Sequence, residues 1–289
     1  MNFLREAVIP DLGEARAAAA GADNAPPLLS STQWLQHALD SYASVDEVVA
    51  ALNTTDPPPY ALTTLTLSTG DKGLGHLMFT DATGVSAIVE PVAGGRLAVY
   101  RSADGSSADD ITRGALAVMT NGPPLPAMLD LAGEVAGRVP GGSSSSTDRF
   151  ARAAYWRQRT PVPADPAAAA AVVRSIMRTL ASPVGALSKP GSPESRATRW
   201  ASMSDMTRRV FWLEPAEALA VTVVDLAPLG LENATTPVRL LETGTRQGQL
   251  GGSVGLESWK VVPAGSMPGM VGFKGKAGAG VEAASAHTS

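Results

Sequence analysis

Hydrophobic and polar positions change their spacing several times along the chain, and each change predicts a different element. From Thr32 the apolar residues recur three and four positions apart, which predicts a helix. A second helix is predicted after Ser44, which forms a capping-box pattern with Glu47. Residues 61–101 alternate apolar and polar side chains and are interrupted by turns such as residues 81–84, which predicts an antiparallel meander.

The second half of the chain adds two helices between strands. A strand is predicted over residues 115–120, a helix capped by Thr147 and Asp148 over residues 149–159, and a further helix with Asp165 as N-cap and Pro166 as its first residue. Strands before and after the helices, without a regular strand–helix alternation, predict an α+β fold with antiparallel sheets. Short or alternating apolar runs predict further strands at residues 2–4, 198–204, 209–214 and 220–225.

Composition divides the chain into one domain and a tail. Glycine and proline together make up 51 of the 289 residues, which favours long loops. Residues 265–289 are rich in Gly, Ala and Ser and have too few large apolar groups to offset the entropy of ordering. We therefore expect a single domain over residues 1–264 and a disordered tail over residues 265–289.

Charge and residue usage exclude several classes of function. Lys and Arg total 23 against 27 Asp and Glu, so the net charge is −4 and argues against a nucleic-acid partner. There is no cysteine, which excludes disulfides, thiolate zinc sites and a thiol nucleophile. His37 and His287 have no partners at metal-ligand spacing. We expect no cofactor and no metal. Because the apolar runs are too short to span a membrane, no membrane partner is expected either, and the compartment stays open.

Four segments occur in an order that is similar to that of a known family. They are H-L-M-F-T-D-A-T-G-V-S-A-I-V-E from residue 76, M-T-N-G-P from residue 119, D-R-F-A-R-A from residue 148 and T-R-W-A-S-M-S-D from residue 198. Together they resemble motifs of the choloylglycine hydrolase family, which includes bile salt hydrolases and penicillin V acylases. The resemblance extends over residues 32–243.

The resemblance implies an N-terminal-nucleophile (Ntn) hydrolase with a four-layer αββα sandwich. In that family the mature chain begins with a cysteine, whose thiolate attacks an amide while the free α-amino group acts as base. The present sequence has no cysteine. Residues 1–3 are similar to a family strand that ends in L-N-F. The sequence is therefore expected to begin inside the family fold, incomplete at its N-terminus.

The same resemblance implies three site residues. Asn121 matches an oxyanion-hole asparagine, Arg149 an arginine that orients the nucleophile and its neighbours, and Asn2 a second oxyanion partner. The alternatives are a turn asparagine, a solvated arginine at a helix start and a frayed terminus. If the resemblance holds, the side chains of Asn121 and Arg149 lie within about 10 Å of each other, on a concave site with apolar walls. His76 is expected to be a structural strand residue rather than a base.

The implied activity is hydrolysis of a linear amide C–N bond outside peptides, with a small-molecule acyl amide as substrate. Only 27 residues separate Asn121 from Arg149, which favours the penicillin-acylase-like branch over the bile salt hydrolases. Because the nucleophile is absent, the chain as given is expected to be inactive. The alternatives are a non-catalytic acyl-binding remnant and an unrelated α+β domain. Exposed sheet edges predict association into homo-oligomers.

Overall fold

The computed structural model describes residues 2–4, 26–53, 60–66, 72–92, 97–102, 117–135, 140–187, 190–191, 197–217, 221–229, 239–241, 252–253 and 259–261. Its elements, in chain order, are β1 (Asn2–Leu4), β2 (Leu28–Ser30), α1 (Trp34–Ser41), α2 (Val45–Asn53), β3 (Ala61–Thr63), β4 (Leu65–Thr66), β5 (Lys72–Thr80), β6 (Ser86–Pro91), β7 (Leu97–Arg101), α3 (Leu125–Val135), α4 (Ser146–Arg159), α5 (Pro166–Arg178), β8 (Trp200–Asp205), β9 (Val210–Pro215), β10 (Thr222–Asp225), a 3₁₀ turn (Ala227–Leu229), β11 (Arg239–Leu241), β12 (Gly252–Ser253) and β13 (Trp259–Val261).

Two sheets form the body of the described structure, and both are built mainly from antiparallel pairs. The first has the order β1-β5-β6-β7, with β4 also paired to β5, and the second has the order β12-β10-β9-β8. The predicted meander over β5, β6 and β7 is therefore confirmed. Two pairs differ from the prediction because they are parallel, β2 with β3 and β10 with β12. The fold is α+β, as predicted.

Strand β6 lies at the centre of the core because both of its faces are covered. All six of its residues are buried, whereas a sheet with one solvated face alternates buried and exposed positions. On one face Ala87 and Val89 pack with Trp34 of α1 and Val48 of α2. On the other face Ile88 packs with residues of α3 and α4, among them Met128 and Phe150. The second face is the one that positions the candidate site.

Three helix starts show how far local signals predicted the structure. Asp165 caps α5 as predicted, accepting a hydrogen bond from the backbone N–H of Ala168 at 2.8 Å. At α2 the hydroxyl of Ser44 accepts from the N–H of Glu47, but the Glu47 carboxylate bonds the N–H of Ala43, one residue before the position that a capping box predicts. Helix α4 begins earlier than predicted, at Ser146. Its N-cap is Ser145, which accepts from the N–H of Asp148.

One prediction for the segment between the two sheets is wrong, and one helix there was not predicted. Residues 117–120 are irregular rather than a strand, because the carbonyl and hydroxyl of Thr120 bond to His76 and to Ser146. Helix α3 was missed by the sequence analysis. Its first N–H, from Leu125, donates to the carboxylate of Glu90 in β6. The predicted tail over residues 265–289 lies outside the described residues.

We expect Tyr60 to make the stability of the protein depend on alkaline pH. Its hydroxyl accepts a buried hydrogen bond from Nε1–H of Trp34 at 2.8 Å. Burial, opposed by that bond, raises the pKa of Tyr60 to about 12. In the unfolded chain a tyrosine loses its proton near pH ~10, so the free energy of unfolding falls as the pH rises from about 10 to about 12. Urea unfolding across this pH range measures the fall.

Tyr60→Phe is expected to flatten that fall. It also leaves the Trp34 N–H without its acceptor, which costs about 1–3 kcal/mol at pH 7. Tyr155→Phe, at a half-buried tyrosine of α4 outside this hydrogen bond, is the matched control for removal of a tyrosine hydroxyl. An unchanged alkaline slope in Tyr60→Phe contradicts the assignment.

Candidate active site

The segment from Thr120 to Leu125 joins the core of the first sheet to α3. Its sequence is T-N-G-P-P-L, and the bond between Gly122 and Pro123 is cis. The carbonyl of Thr120 accepts a hydrogen bond from Nε2 of His76 at 2.8 Å. At the other end, the N–H of Leu125 donates to both carboxylate oxygens of Glu90, at 3.2 and 2.9 Å. Both ends of the segment are therefore bonded to side chains of the sheet.

His76 and Glu90 also bond to each other, and both are almost completely buried. Nδ1 of His76 lies 2.8 Å from Oε1 of Glu90, and the two side chains are 2% and 1% exposed. Because a carbonyl can only accept, Nε2 of His76 must carry the hydrogen that bonds Thr120. Nδ1 in turn faces the carboxylate of Glu90, which occupies the second ring nitrogen. Both ring nitrogens are thus engaged, and His76 is structural, as predicted.

Thr120 also connects the segment to the beginning of α4. Its hydroxyl donates to the carbonyl of Ser146 at 3.1 Å, and the hydroxyl of Ser146 donates back to Thr120 Oγ1 at 3.0 Å. Thr120 is buried, so these bonds replace contacts with water. Consequently the residue before Asn121 is held against the same helix turn that contains Arg149.

Asn121 and Arg149 meet directly. Nη2 of Arg149 donates to Oδ1 of Asn121 at 3.2 Å, and Nε of Arg149 donates to the carbonyl of Ser144 at 3.2 Å. The convergence expected from the resemblance is therefore present, although the two residues are 28 positions apart. With Oδ1 bonded to the guanidinium, the amide Nδ2 of Asn121 is the group left to donate to a ligand. Asn121 is exposed, so that amide is accessible.

Arg149 is half-buried, which distinguishes it from a solvated arginine at a helix start. Burial, and secondarily the positive charge of Arg152, lower its pKa from the ordinary value. Arg152, one turn further along α4, donates to the carbonyls of Thr179, Gly141 and Ser143. It therefore holds the loop before α4 in place, which is a structural role. A Cβ at Gly141 would lie 2.9 Å from Oδ2 of Asp148, so a larger residue there would have to displace that carboxylate.

The third predicted site residue, Asn2, can be placed only by its main chain. Strand β1 pairs antiparallel with β5, and Asn2 lies opposite His76. The main chain of Asn2 is thus next to the His76–Glu90 pair, and its side chain lies outside the described residues. A small cavity behind the 120–125 segment is lined by residues such as Thr120, Pro123 and Phe150, without Asn121 or Arg149. The apolar acyl pocket stays a prediction.

Sequence reasoning missed Glu90 and Ser146 as supports of the site. Glu90 ends the I-V-E motif, and an acidic residue inside an apolar strand indicates a buried partner. Ser146 belongs to a run of four serines just before the predicted helix start, a pattern that also fits a surface loop. Among the described residues no three His, Asp or Glu side chains lie close enough together to hold a metal ion. No described helix is long and apolar enough to cross a membrane.

The class of protein follows from this architecture: the fold is that of an Ntn hydrolase. The structure of penicillin V acylase from Agrobacterium tumefaciens matches it with a TM-score of 0.69 and 28% identity, over 91% of this chain and 73% of that one. Two variants of the conjugated bile acid hydrolase from Clostridium perfringens share the fold at 17% and 14% identity. Their TM-scores are 0.54 and 0.56, over 72% and 81% of this chain and 66% and 70% of theirs.

The sequence assigns the chain to one family among the proteins that have this fold. The profile of the linear amide C–N hydrolases, choloylglycine hydrolase family, matches residues 20–124 and 126–239, and the chain belongs to this family. The penicillin V acylase of Pectobacterium atrosepticum is 28% identical over 239 residues, which cover 76% of this chain and 59% of the relative. The chain thus spans less than two thirds of that relative. Family membership excludes the alternative of an unrelated α+β domain.

Proposed function

We propose that this chain supplies the oxyanion-binding side of an active site that hydrolyses linear, non-peptide amides of the penicillin V acylase type. The observation that supports this most directly is the hydrogen bond from Arg149 to Oδ1 of Asn121. That bond fixes the asparagine amide with its N–H groups available. The likeness to two penicillin V acylases supports the substrate class, a small-molecule acyl amide.

Asn121 is proposed to stabilise the negative charge that develops on the carbonyl oxygen. When a nucleophile attacks an amide, the carbonyl oxygen becomes an oxyanion, and a fixed N–H donor lowers the energy of that state more than that of the substrate. Removing one such donor typically reduces kcat by a factor of about 10²–10³. The supports at Thr120, from His76 and Ser146, keep the donor in place without reorganisation during the reaction.

Arg149 is proposed to serve as a charged positioning group. By donating to Oδ1 it polarises the asparagine amide, which makes Nδ2–H a better donor, and its positive charge lies beside the position of the oxyanion. Asn2 is proposed as a second donor to the same oxygen. The support for Asn2 is the place of β1 beside β5, which brings its main chain next to the network that holds Asn121.

The nucleophile is not among the 289 residues, because the resemblance assigns it to a cysteine and the sequence has none. The proposal therefore divides the site: the oxyanion-binding groups are in these 289 residues, and a thiolate is not. The alternative is a non-catalytic protein that binds acyl amides with the same groups. The lack of cysteine agrees with this alternative as well as with the divided site. In either case the 289 residues are expected to recognise an acyl amide. Association of the chain into homo-oligomers, expected from the sequence, stays a prediction.

Binding of a transition-state mimic tests the proposal without requiring turnover. We expect the chain to bind a phosphonate analogue of phenoxyacetyl amide, whose tetrahedral oxygen carries a negative charge, at least tenfold more tightly than the amide itself. Asn121→Asp keeps an acceptor for Arg149 but replaces the donor with an oxygen that repels the anion, so the preference for the phosphonate should disappear. Isothermal titration calorimetry measures both affinities.

Arg149→Ala should weaken binding of the phosphonate more than binding of the neutral amide. Arg208→Ala is the matched control, because Arg208 is an exposed arginine paired with Asp205 in the β8–β9 turn. It should leave both affinities unchanged. Equal affinities for phosphonate and amide in the wild-type chain, or an Asn121→Asp variant that keeps the preference, would contradict the assignment of Asn121.

A further inference from the structure

A second cavity lies between α5 and the second sheet, and its lining shares no residue with the candidate site. Its volume is about 220 Å³. The sheet contributes Met203 and Trp212, which are directly opposite each other in the β8–β9 pairing, and α5 contributes Met177. Ala201, two positions before Met203 in β8, also lines the cavity, and its small side chain leaves space beside Met203 and Trp212. Its walls are therefore mostly apolar.

One side of this cavity is formed by a cluster of three charged groups. Arg174 donates to both carboxylate oxygens of Glu214, at 2.8 and 3.0 Å, and Arg178, one turn further along α5, donates to Glu214 at 2.7 Å. These hydrogen bonds, chiefly those from Arg174, hold the pKa of Glu214 at about 2, so the carboxylate is ionised at neutral pH. Two guanidinium groups thus share one carboxylate, and the cluster has a net charge of +1.

Arg178 is the group of this cluster that is positioned to bind an anion. It is 60% exposed, whereas Arg174 is 33% exposed and gives two donors to Glu214. A guanidinium has five N–H donors, and Arg178 uses one of them on Glu214. The cavity therefore combines apolar walls with a surplus positive charge at one side.

We propose that this cavity is a binding site for a compact monocarboxylate with an apolar body. The carboxylate bonds to Arg178 and balances the net charge of the cluster, while the apolar body fills the space above Met203 and Trp212. An apolar cavity of about 150 Å³ binds benzene in another protein, so a cavity of 220 Å³ is large enough for a somewhat longer apolar body such as that of octanoate, a medium-chain fatty acid. An intact acyl amide with a fused-ring amine is larger than octanoate.

Titration of the purified chain with octanoate at pH 7 tests this site, using calorimetry and the fluorescence change of Trp212. We expect saturable binding with one site per chain. Octan-1-ol has the same chain without the charge and is expected to bind about tenfold more weakly. Trp212→Phe should abolish the fluorescence change while the calorimetric signal remains.

Four variants, one of them a control, locate the site. Arg178→Gln should weaken octanoate about tenfold and leave octan-1-ol unchanged, and Arg208→Gln, an exposed arginine that is also paired with a carboxylate, should change neither. Ala201→Leu fills the cavity from the sheet and should abolish binding of both. Ala181→Leu fills it from the residues after α5 and gives the same test if the first variant does not fold, as judged by circular dichroism.

The inference is independent of the proposed hydrolase site, because the cavity lining contains neither Asn121 nor Arg149. Asn121→Asp should therefore not alter octanoate binding. Three results would overturn it: no saturable binding, equal binding of octanoate to wild type and Arg178→Gln, or unchanged binding in both cavity-filling variants.

Discussion

Replacing His76 with leucine is expected to reduce the free energy of unfolding by about 3–5 kcal/mol, the usual cost of removing one partner of a buried charged pair. Leucine is close to histidine in size, so the loss arises from polar groups rather than from a cavity. It leaves the Glu90 carboxylate without Nδ1 of His76 and the Thr120 carbonyl without its donor. Equilibrium urea denaturation at pH 7 measures the change.

The exposed ion pair between Asp46 and Arg101 is the matched comparison. Its atoms are equally close, 2.7 Å, but Asp46 is 67% exposed, so Asp46→Ala is expected to cost less than about 1 kcal/mol. A double variant, His76→Leu with Glu90→Leu, should cost less than the sum of the single changes because neither charge is then left unpaired. A loss of under about 1 kcal/mol in His76→Leu alone would show that the pair does not hold the segment that positions Asn121.

The 289-residue chain is expected to release no 6-aminopenicillanic acid from penicillin V above the buffer rate. The sequence has no thiol. The hydroxyls of Thr120 and Ser146 bond to each other, and His76, the nearby imidazole, has both nitrogens bonded and cannot accept a proton from them. Chromatographic detection of the released amine over hours is sensitive enough to decide the matter.

Activity should appear when an N-terminal segment that begins with cysteine, as the family resemblance implies, is joined ahead of Met1. In that fusion Asn121→Asp should reduce kcat by about 10²–10³-fold, while Arg208→Ala leaves it unchanged. Turnover by the 289 residues alone that disappears in Arg149→Ala would contradict the division of the site. An active fusion that tolerates Asn121→Asp would contradict the oxyanion role.

Several features were determined by the sequence alone, because they depend on neighbouring residues. The turn over residues 81–84 needs a residue of positive φ at its end, and Gly84 has φ 85° there. Asp165 followed by Pro166 was sufficient to start α5. Alternation over β5 and β6 predicted the meander, and the motifs around Asn121 and Arg149 predicted the family and the meeting of these two side chains.

Only the tertiary structure decided where α3 begins and why residues 117–120 are not a strand. Both depend on Glu90 and His76, which lie 35 and 44 positions away from the groups that they bond. A cap supplied across such a distance leaves no pattern in the local sequence, because propensity and periodicity register only residues within a few positions. For the same reason Glu90 could be seen in the sequence only as an acidic residue in an apolar strand, and its role became evident once the strand, the helix and the Asn121 segment were brought together.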